Sequence, residues 1–430
     1  MAKAARILVA LAAFTAVVPT AMAARILVAL AAFTAVVPIA AAAPAEATTE
    51  LDFTPIKAFL STKGRPNTWA HNISFTVGTL DSPKPLLTYS NGNMSLYTKR
   101  VLGSGSKWAA STAMLALVHA ANASVDDKMS KYLDWWTTDA KDPRSNATLR
   151  HFLTMTSGMV TDGTDGAVAL NNSDAKRRVA HSKLGYGAFL GCALTTLSHQ
   201  DCVRALYDVS PALYAPGDYF MYGTLTFNFV AAAMEVAHGE PIEALLETYF
   251  LGPLNMTGPW SSRVSDDEPP ALATTRVPLL GGVLAATAAE MDGFMARMLR
   301  KDFLPGGLHD VQEAISTSYA QYSTQNQVFG PYGMGIWHEC LMGGFNPADP
   351  FPASCAEATR ITHPGCYGYW NYVSRPKKYY FNFLPSYTCD ASNAYCGYGE
   401  KPPGGESCPA ITWSETFRLE VGVFLEDLFA

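Results

Sequence analysis

The sequence has no excess of positive charge. Its 430 residues include 31 Lys plus Arg against 37 Asp plus Glu, a net charge of -6. Because nucleic-acid binding depends on clustered basic side chains that neutralise phosphates, this balance argues against a nucleic-acid partner. Hydrophobic residues make up 49% of the chain, which is enough for a large folded core and too much for a disordered protein.

Several motifs that mark common enzyme sites are also missing. The chain has no Gly-Lys dipeptide and no G-x-G-x-x-G, H-E-x-x-H or G-x-S-x-G sequence. Their absence removes the main support for a phosphate-binding loop, a dinucleotide site, a zinc peptidase or an α/β-hydrolase. No C-x-x-C pair occurs, which disfavours zinc ribbons and thioredoxin-type redox centres. We therefore expect neither a cofactor nor a metal.

The N-terminus carries an internal duplication. Residues Ala4–Pro19 recur without change as Ala23–Pro38, and each copy runs from an arginine through an apolar stretch to small residues. This layout is typical of a secretory signal peptide. Small residues at 21–23 and at 40–43 offer two alternative cleavage sites.

A signal-anchor helix is the alternative, since residues 26–45 are uncharged and long enough to span a bilayer. Their many alanines and two prolines favour a cleaved signal. We expect a duplicated signal-peptide-like segment over 1–43, a linker over 44–50, and a secreted protein with no membrane partner after cleavage.

N-glycosylation sequons and cysteines support the same compartment. Six Asn-x-Ser/Thr sequons occur, at Asn72, Asn93, Asn122, Asn146, Asn171 and Asn255. There are eight cysteines, at positions 192, 202, 340, 355, 366, 389, 396 and 408. An even number of cysteines behind a signal predicts disulfides, and about 105 pairings are open. The pairing of Cys192 with Cys202 is the most local of these.

Strand and helix patterns alternate along the chain in a distinctive order. Strands are predicted at Trp69–Leu80, Leu86–Ser90, Thr359–Thr362, Tyr367–Val373 and Tyr379–Leu384. Helices are predicted at Leu51–Leu60, Lys107–Ala121, Phe227–His238, Met291–Arg300 and Ser414–Phe429, with Ser104 and Ser106 as candidate caps of the second. The strands therefore come from both ends of the chain, and the middle is mostly helical.

This order predicts an α/β fold with an antiparallel sheet flanked by helices. We expect a single domain over 51–430. Its sheet lobe covers about 51–103 and 330–430, and an inserted helical lobe covers about 104–329. A cysteine-rich insert occupies about 385–412.

The motif S-x-x-K is the main chemical signal. It occurs three times, as Ser104/Lys107, Ser173/Lys176 and Ser374/Lys377. Only Ser104 stands at the start of a convincing helix, where a lysine one turn on can reach the hydroxyl and the helix N-terminus favours developing negative charge. The alternative is a capping serine beside a solvated lysine.

Four further blocks follow the Ser104 block in order. They are Arg150–Gly158 (RHFLTMTSG), Pro216–Asn228 (PGDYFMYGTLTFN), Pro253–Thr257 (PLNMT) and His363–Gly365 (HPG). Together the five blocks resemble the serine β-lactamase-like family, which includes class C β-lactamases, D-alanyl-D-alanine carboxypeptidases, D-aminopeptidases and related esterases. The resemblance covers about Thr54 to Leu384 and the last helix, and it implies a β-lactamase/transpeptidase-like fold.

The resemblance also implies the role of each site residue. Ser104 would be the nucleophile, Lys107 its general base or proton relay, and Tyr222 a partner in proton transfer to the leaving group. Whether lysine or tyrosine is the base stays open. The backbone N–H groups of Ser104 and Cys366 would form the oxyanion hole, which stabilises the charge that develops on the substrate oxygen.

Two residues depart from the family pattern near the substrate. Thr224 stands where Asn or Ser is usual, so an amide contact to substrate is lost, and Pro364 removes a backbone donor beside Gly365. His363 replaces the family's lysine. We expect it to be protonated and to hold a substrate carboxylate; the alternatives are a neutral hydrogen-bonding group or simple packing.

The sequence thus predicts a secreted serine hydrolase that cleaves an ester or amide through a Ser104 acyl-enzyme. The substrate would be a small ester, a D-amino-acid peptide or a β-lactam-like molecule, and the oligomeric state stays open. The alternative is a non-catalytic secreted glycoprotein that keeps the fold as a binding or structural module.

Overall fold

The computed structural model describes twelve stretches of the chain. They are residues 51–63, 72–161, 184–185, 187–195, 198–258, 260–261, 276–317, 331–339, 360–365, 367–386, 421–422 and 424–429. The chain divides into two compact units, Met1–Leu51 and Asp52–Ala430, and every element below belongs to the second. The predicted signal segment 1–43, the linker 44–50 and nearly all of the insert 385–412 lie outside the described residues.

A six-stranded antiparallel sheet organises the described fold. The strands are β1 (Ile73–Thr79), β2 (Leu87–Ser90), β3 (Arg100–Val101), β4 (Ala285–Ala286), β5 (Trp337–Glu339), β6 (Arg360–Thr362), β7 (Trp370–Ser374) and β8 (Tyr379–Pro385). The sheet order is β2-β1-β8-β7-β6-β5, while β3 and β4 pair separately. Strand β1 lies antiparallel to β8, from Ile73 opposite Pro385 to Thr79 opposite Tyr379. This pairing joins the two ends of the domain and confirms the predicted fold class.

Helices fill the rest of the described fold. They are α1 (Thr54–Lys63), α2 (Ser106–Ala120), α3 (Leu149–Leu153), α4 (His199–Val209), α5 (Thr226–His238), α6 (Ile242–Leu246), α7 (Ala288–Arg300) and α8 (Leu308–Glu313), with further helical residues at 187–193 and 421–428 around the undescribed 423. Gly239 ends α5 in the left-handed conformation at φ 71°. The predicted helices α1, α2, α5 and α7 are therefore present, with ends shifted by a few residues.

The sheet is buried on both faces. One face packs against Ile56 and Leu60 of α1 and against Val421 and Leu425 of the C-terminal helical residues. The other face packs against α7, whose Ala288 carbonyl accepts a hydrogen bond from Asn382 Nδ2 at 3.1 Å. Burial on both faces explains why β8 (YYFNFLP) is apolar or aromatic at most positions, whereas β1 (ISFTVGT) keeps the alternation of a strand with one apolar face.

Helix α2 runs through the larger core. Twelve of its 15 residues are buried, including Lys107. Its N-cap is Gly105, with no side-chain capping bond, so the expectation that Ser104 or Ser106 caps the helix is wrong. Instead, the Ser106 hydroxyl accepts a hydrogen bond from the Leu284 backbone N–H at 3.0 Å. This tertiary bond, not a local cap, positions the start of α2.

One disulfide lies in the described part of the helical region. Cys192 and Cys202 are bonded, with their Cα atoms 5.3 Å apart. The other six cysteines lie outside the described residues. Among the described helices, none has the length and apolar character needed to cross a membrane.

Candidate active site

Ser104 lies on a tight turn directly before α2. The turn is a single 3-10 segment, Gly103–Gly105, and Gly103 has φ 58°, a conformation that glycine adopts without strain. A side chain on Gly105 would collide with the ring of Tyr369. The two glycines therefore let the turn pack tightly, while Ser104 itself stays partly exposed.

Lys107 reaches back to Ser104 from the first turn of α2. Its Nζ lies 3.0 Å from Ser104 Oγ and 2.8 Å from the Gly281 carbonyl oxygen, and the whole side chain is buried. A carbonyl oxygen only accepts hydrogen bonds, so one N–H of Lys107 points at Gly281 in either protonation state. A second position on the same nitrogen faces Ser104 Oγ.

Tyr222 packs over Lys107 from the loop before α5. The Lys107 Nζ lies 4.4 Å from the centroid of the Tyr222 ring. Met155 fixes this loop on both sides: its carbonyl accepts a hydrogen bond from Met221 N at 2.7 Å, and its sulfur lies 3.3 Å from Gly223 N. Met155 has φ 59°, which is unusual for a residue with a side chain. In the sequence, Met155 is one residue of the Arg150–Gly158 block and carries no signal of this role.

Thr224 lies against the turn at residues 279–283, whose Gly281 carbonyl accepts a hydrogen bond from Lys107. A side chain on Gly281 would collide with the Thr224 carbonyl, and a Cβ on Gly282 would be 2.8 Å from Thr224 Cγ2. From the family pattern, Thr224 is only a lost substrate contact. In the structure it lies against the backbone of Gly281 and Gly282.

His363 comes after the end of β6 and is fully buried. Its backbone N–H donates to Asn371 Oδ1 at 3.0 Å, so a side chain of β7 replaces the next bond of the strand ladder. Its Nδ1 lies 3.2 Å from the Pro364 carbonyl, which can only accept, so Nδ1 carries the proton. The Nε2 atom therefore accepts from the Tyr332 hydroxyl, at 3.3 Å.

The contacts of His363 favour the neutral form over the protonated form expected above. Burial, followed by the nearby positive charge of Lys107, lowers the pKa of His363 well below its usual value of 6.5. The imidazole is therefore neutral at physiological pH. Its ring stacks on that of Tyr222, with centroids 6.0 Å apart. His363 therefore belongs to the site as a neutral group that packs against Tyr222.

Gly365 brings the strand block up to the nucleophile turn. A side chain on Gly365 would collide with the carbonyl of Leu102, the residue before that turn. Pro364 lies two residues beyond Thr362, the last residue of β6, so it removes no bond from the described ladder. Cys366, the second predicted oxyanion donor, lies outside the described residues.

Of the other two S-x-x-K pairs, Ser374/Lys377 lies within the described residues and does not form the same contact. Lys377 points away from Ser374 and donates to the Glu426 carbonyl at 2.5 Å. Ser173 and Lys176 lie outside the described residues. Within the described part of the chain, no cluster of three or more His, Cys, Asp or Glu side chains is arranged to hold a metal ion.

The comparisons with known proteins identify the family. The Beta-lactamase family model matches residues 86–386. No curated protein matches the chain. Among solved structures, a protein assigned as a β-lactamase from Bacteroides dorei DSM 17855 is similar at TM-score 0.58 and 21% identity, covering 86% of this chain and 99% of its own.

Two further structures share the fold. The octameric penicillin-binding protein homologue from Pyrococcus abyssi has TM-score 0.56 and 14% identity, over 86% of this chain and 78% of its own. EstCE1, a hydrolase with promiscuous acyltransferase activity, has TM-score 0.52 and 16% identity, over 77% and 91%. Because the family model spans most of the chain, from β2 to the end of β8, the chain belongs to the β-lactamase family.

Proposed function

We propose that this chain is a serine hydrolase that cleaves an ester or amide through an acyl-enzyme on Ser104. One observation carries the proposal: the buried Lys107 amine lies 3.0 Å from the hydroxyl of a partly exposed serine. A serine hydroxyl is a weak nucleophile until a neighbouring base takes its proton. A buried amine held at hydrogen-bond distance is suited to that task.

The proposed reaction has two halves. In acylation, which requires Lys107 as the neutral amine, Ser104 Oγ attacks the substrate carbonyl carbon while its proton passes to Lys107 Nζ, and the carbonyl oxygen becomes an oxyanion. The bond to the leaving group then breaks as the leaving atom takes a proton, relayed from Lys107 with Tyr222 sharing the transfer. In deacylation, water attacks the ester of Ser104, its proton follows the reverse route, and Ser104 and a carboxylic acid are released.

Backbone donors would stabilise the oxyanion. The proposed donors are the N–H groups of Ser104 and Cys366, and two such donors lower the barrier by several kcal/mol. The fit of Gly365 against Leu102 supports this assignment, because it brings the backbone before Cys366 beside the nucleophile turn.

The state of His363 bears on the substrate. A neutral, fully buried imidazole offers no positive charge to a substrate carboxylate. We therefore favour an ester or amide with an uncharged group at this position over a peptide that ends in a free carboxylate there. Small esters fit this requirement, as do neutral acyl derivatives of D-amino acids.

We also propose that the protein is secreted and N-glycosylated. Four sequon asparagines, Asn93, Asn122, Asn146 and Asn255, are exposed. The Cys192–Cys202 bond suits an oxidising compartment. The intact mass before and after reduction and deglycosylation tests this part of the proposal, and eight free thiols with no glycan would overturn it.

Covalent labelling with a fluorescent fluorophosphonate tests the catalytic proposal. We expect the wild-type protein to label, S104A not to label, and K107A to label slower by several orders of magnitude. S374A, which removes the serine of another S-x-x-K pair, is the matched control and should label like the wild type. If the folded wild-type protein does not label, the non-catalytic alternative replaces this proposal.

A further inference from the structure

The turn that holds Lys107 is itself held by backbone and side-chain bonds. The N–H groups of Gly282 and Val283 donate to the Leu279 carbonyl at 3.1 and 3.0 Å, which closes the turn. The indole of Trp260 donates to the Leu280 carbonyl at 2.9 Å. The Gly281 carbonyl, which lies between these anchored residues, is thereby directed at Lys107 Nζ.

Thr224 occupies the space on the other side of this turn. Its carbonyl lies against Gly281, and its methyl group lies where a Cβ on Gly282 would be only 2.8 Å away. Real Cβ atoms do not approach other atoms that closely, so Thr224 and a side chain at position 282 cannot share this space. Gly281 is therefore required by the backbone of residue 224, and Gly282 is the position that the Thr224 methyl group crowds.

We propose that Thr224 is a positioning residue for Lys107. Its methyl group supports the Gly281–Gly282 turn, and the turn in turn fixes the carbonyl that orients the Lys107 amine toward Ser104. Thr224 acts through the turn and not through the substrate. The inference rests on the proposed function of Ser104 and Lys107. It adds a role for Thr224, which stands where the family pattern usually has Asn or Ser.

Moving one methyl group from position 224 to position 282 tests the proposal. G282A adds a methyl next to Thr224 Cγ2, and T224S removes Cγ2. We measure fluorophosphonate labelling over a range of probe concentrations, which separates the maximal labelling rate from the half-saturating concentration. G282A should lower the maximal rate about 10- to 100-fold, because displacement of a catalytic group by about 1 Å has an effect of that size.

The double variant G282A/T224S should recover most of the wild-type rate, since the new methyl group fills the space that Cγ2 vacated. T224S alone should lose a few-fold in maximal rate. In all three variants the half-saturating concentration should stay within about twofold of wild type. Failure of T224S to rescue a folded G282A protein would overturn the proposal, as would a G282A protein with the wild-type rate.

T224V provides a second measurement that does not depend on the folding of G282A. Valine keeps the methyl group and loses the hydroxyl, so T224V should retain a maximal rate closer to the wild-type value than T224S does. A raised half-saturating concentration would show a hydroxyl contact to the substrate and would contradict the proposal.

G293A is the matched control, because Gly293 of α7 has no neighbouring atom within 4 Å of an added Cβ. It should label like the wild type. If the wild-type protein does not label at all, the proposed function fails. If the wild type labels and the rescue is absent, only the role of Thr224 fails.

Discussion

The hydroxyl of Tyr332 lies 3.3 Å from Nε2 of His363, and both side chains are fully buried. This contact, with the Nδ1 bond to the Pro364 carbonyl, uses both nitrogens of a neutral imidazole. A second proton on the ring would displace the Tyr332 hydroxyl as a donor and would be repelled by Lys107. This environment thus favours an imidazole that stays uncharged.

The neutral state of His363 predicts the pH dependence of catalysis. Because its pKa lies well below 6.5, protonation begins only as the pH falls below the usual histidine range. Titration of His363 should therefore cause no loss of kcat/KM between about pH 6 and 8, and any loss it causes should be on the acid side.

Profiles of kcat/KM from about pH 5 to 9 for the wild type and H363N check this expectation. We expect the two profiles to have the same shape above about pH 6. A wild-type profile that falls between pH 6 and 8, and that becomes flat in H363N, would show a protonated His363 in the free enzyme.

Gly365 should tolerate no side chain. In G365A the new methyl group collides with the Leu102 carbonyl, so the nucleophile turn must move. We expect the fluorophosphonate labelling rate to fall about 100-fold or more. G191A is the control, since a Cβ there meets no atom within 4 Å. A G365A protein that labels like G191A would mean that the strand block does not set the position of Ser104.

The lowered pKa of His309 should make the free energy of unfolding decrease in mild acid. Its Nε2 accepts backbone N–H bonds from Leu304 at 2.9 Å and from Phe303 at 3.3 Å. Burial, with the charges of Arg375 and Lys301, lowers the pKa of His309 to about 4. The unfolded chain, with a pKa near 6.5, binds more protons, so stability is lost as the pH falls from about 6.5 toward 4.

Chemical unfolding at pH 7 and pH 5 measures this loss. His309 should contribute about 2 kcal/mol to the decrease in unfolding free energy between these pH values. H309Q should show a correspondingly smaller decrease, although not none, because burial also lowers the pKa of His338 to about 4. An equal decrease in wild type and H309Q would contradict the assignment.

The Cys192–Cys202 bond should stabilise the helical region. Closing a loop with a sequence separation of 10 limits the unfolded chain and contributes about 3 kcal/mol in the chain-entropy model. The double variant C192S/C202S should therefore unfold at lower denaturant than the wild type in a non-reducing buffer. Unchanged unfolding, or a peptide map that pairs either cysteine elsewhere, would contradict the bond.

The sequence predicted those features that local pattern controls. Gly239 marks the end of α5, and the S-x-x-K spacing places Lys107 within reach of Ser104. It did not predict β3, β4 or β5, each of which has only two or three residues. Strands this short carry too little alternation to be recognised and form because their neighbours in space supply the hydrogen bonds.

The sequence also could not predict which distant residues contact the site residues. The second partner of Lys107 is the backbone carbonyl of Gly281, 174 residues away, and a carbonyl is present at every residue. Similarly, nothing in the His363–Gly365 block shows that Asn371 and Tyr332 satisfy the histidine. The charge of His363 depends on burial, which only the packed structure sets.

The most direct test of the central claim is the site of acylation. A reaction with a small ester is stopped by acid within the first turnovers, the protein is digested, and the peptides are analysed by mass spectrometry. We predict an acyl group on Ser104 of the wild-type protein and no acylated peptide from S104A. An acyl group on any other residue, or ester turnover by S104A at the wild-type rate, would contradict the assignment of Ser104 as the nucleophile.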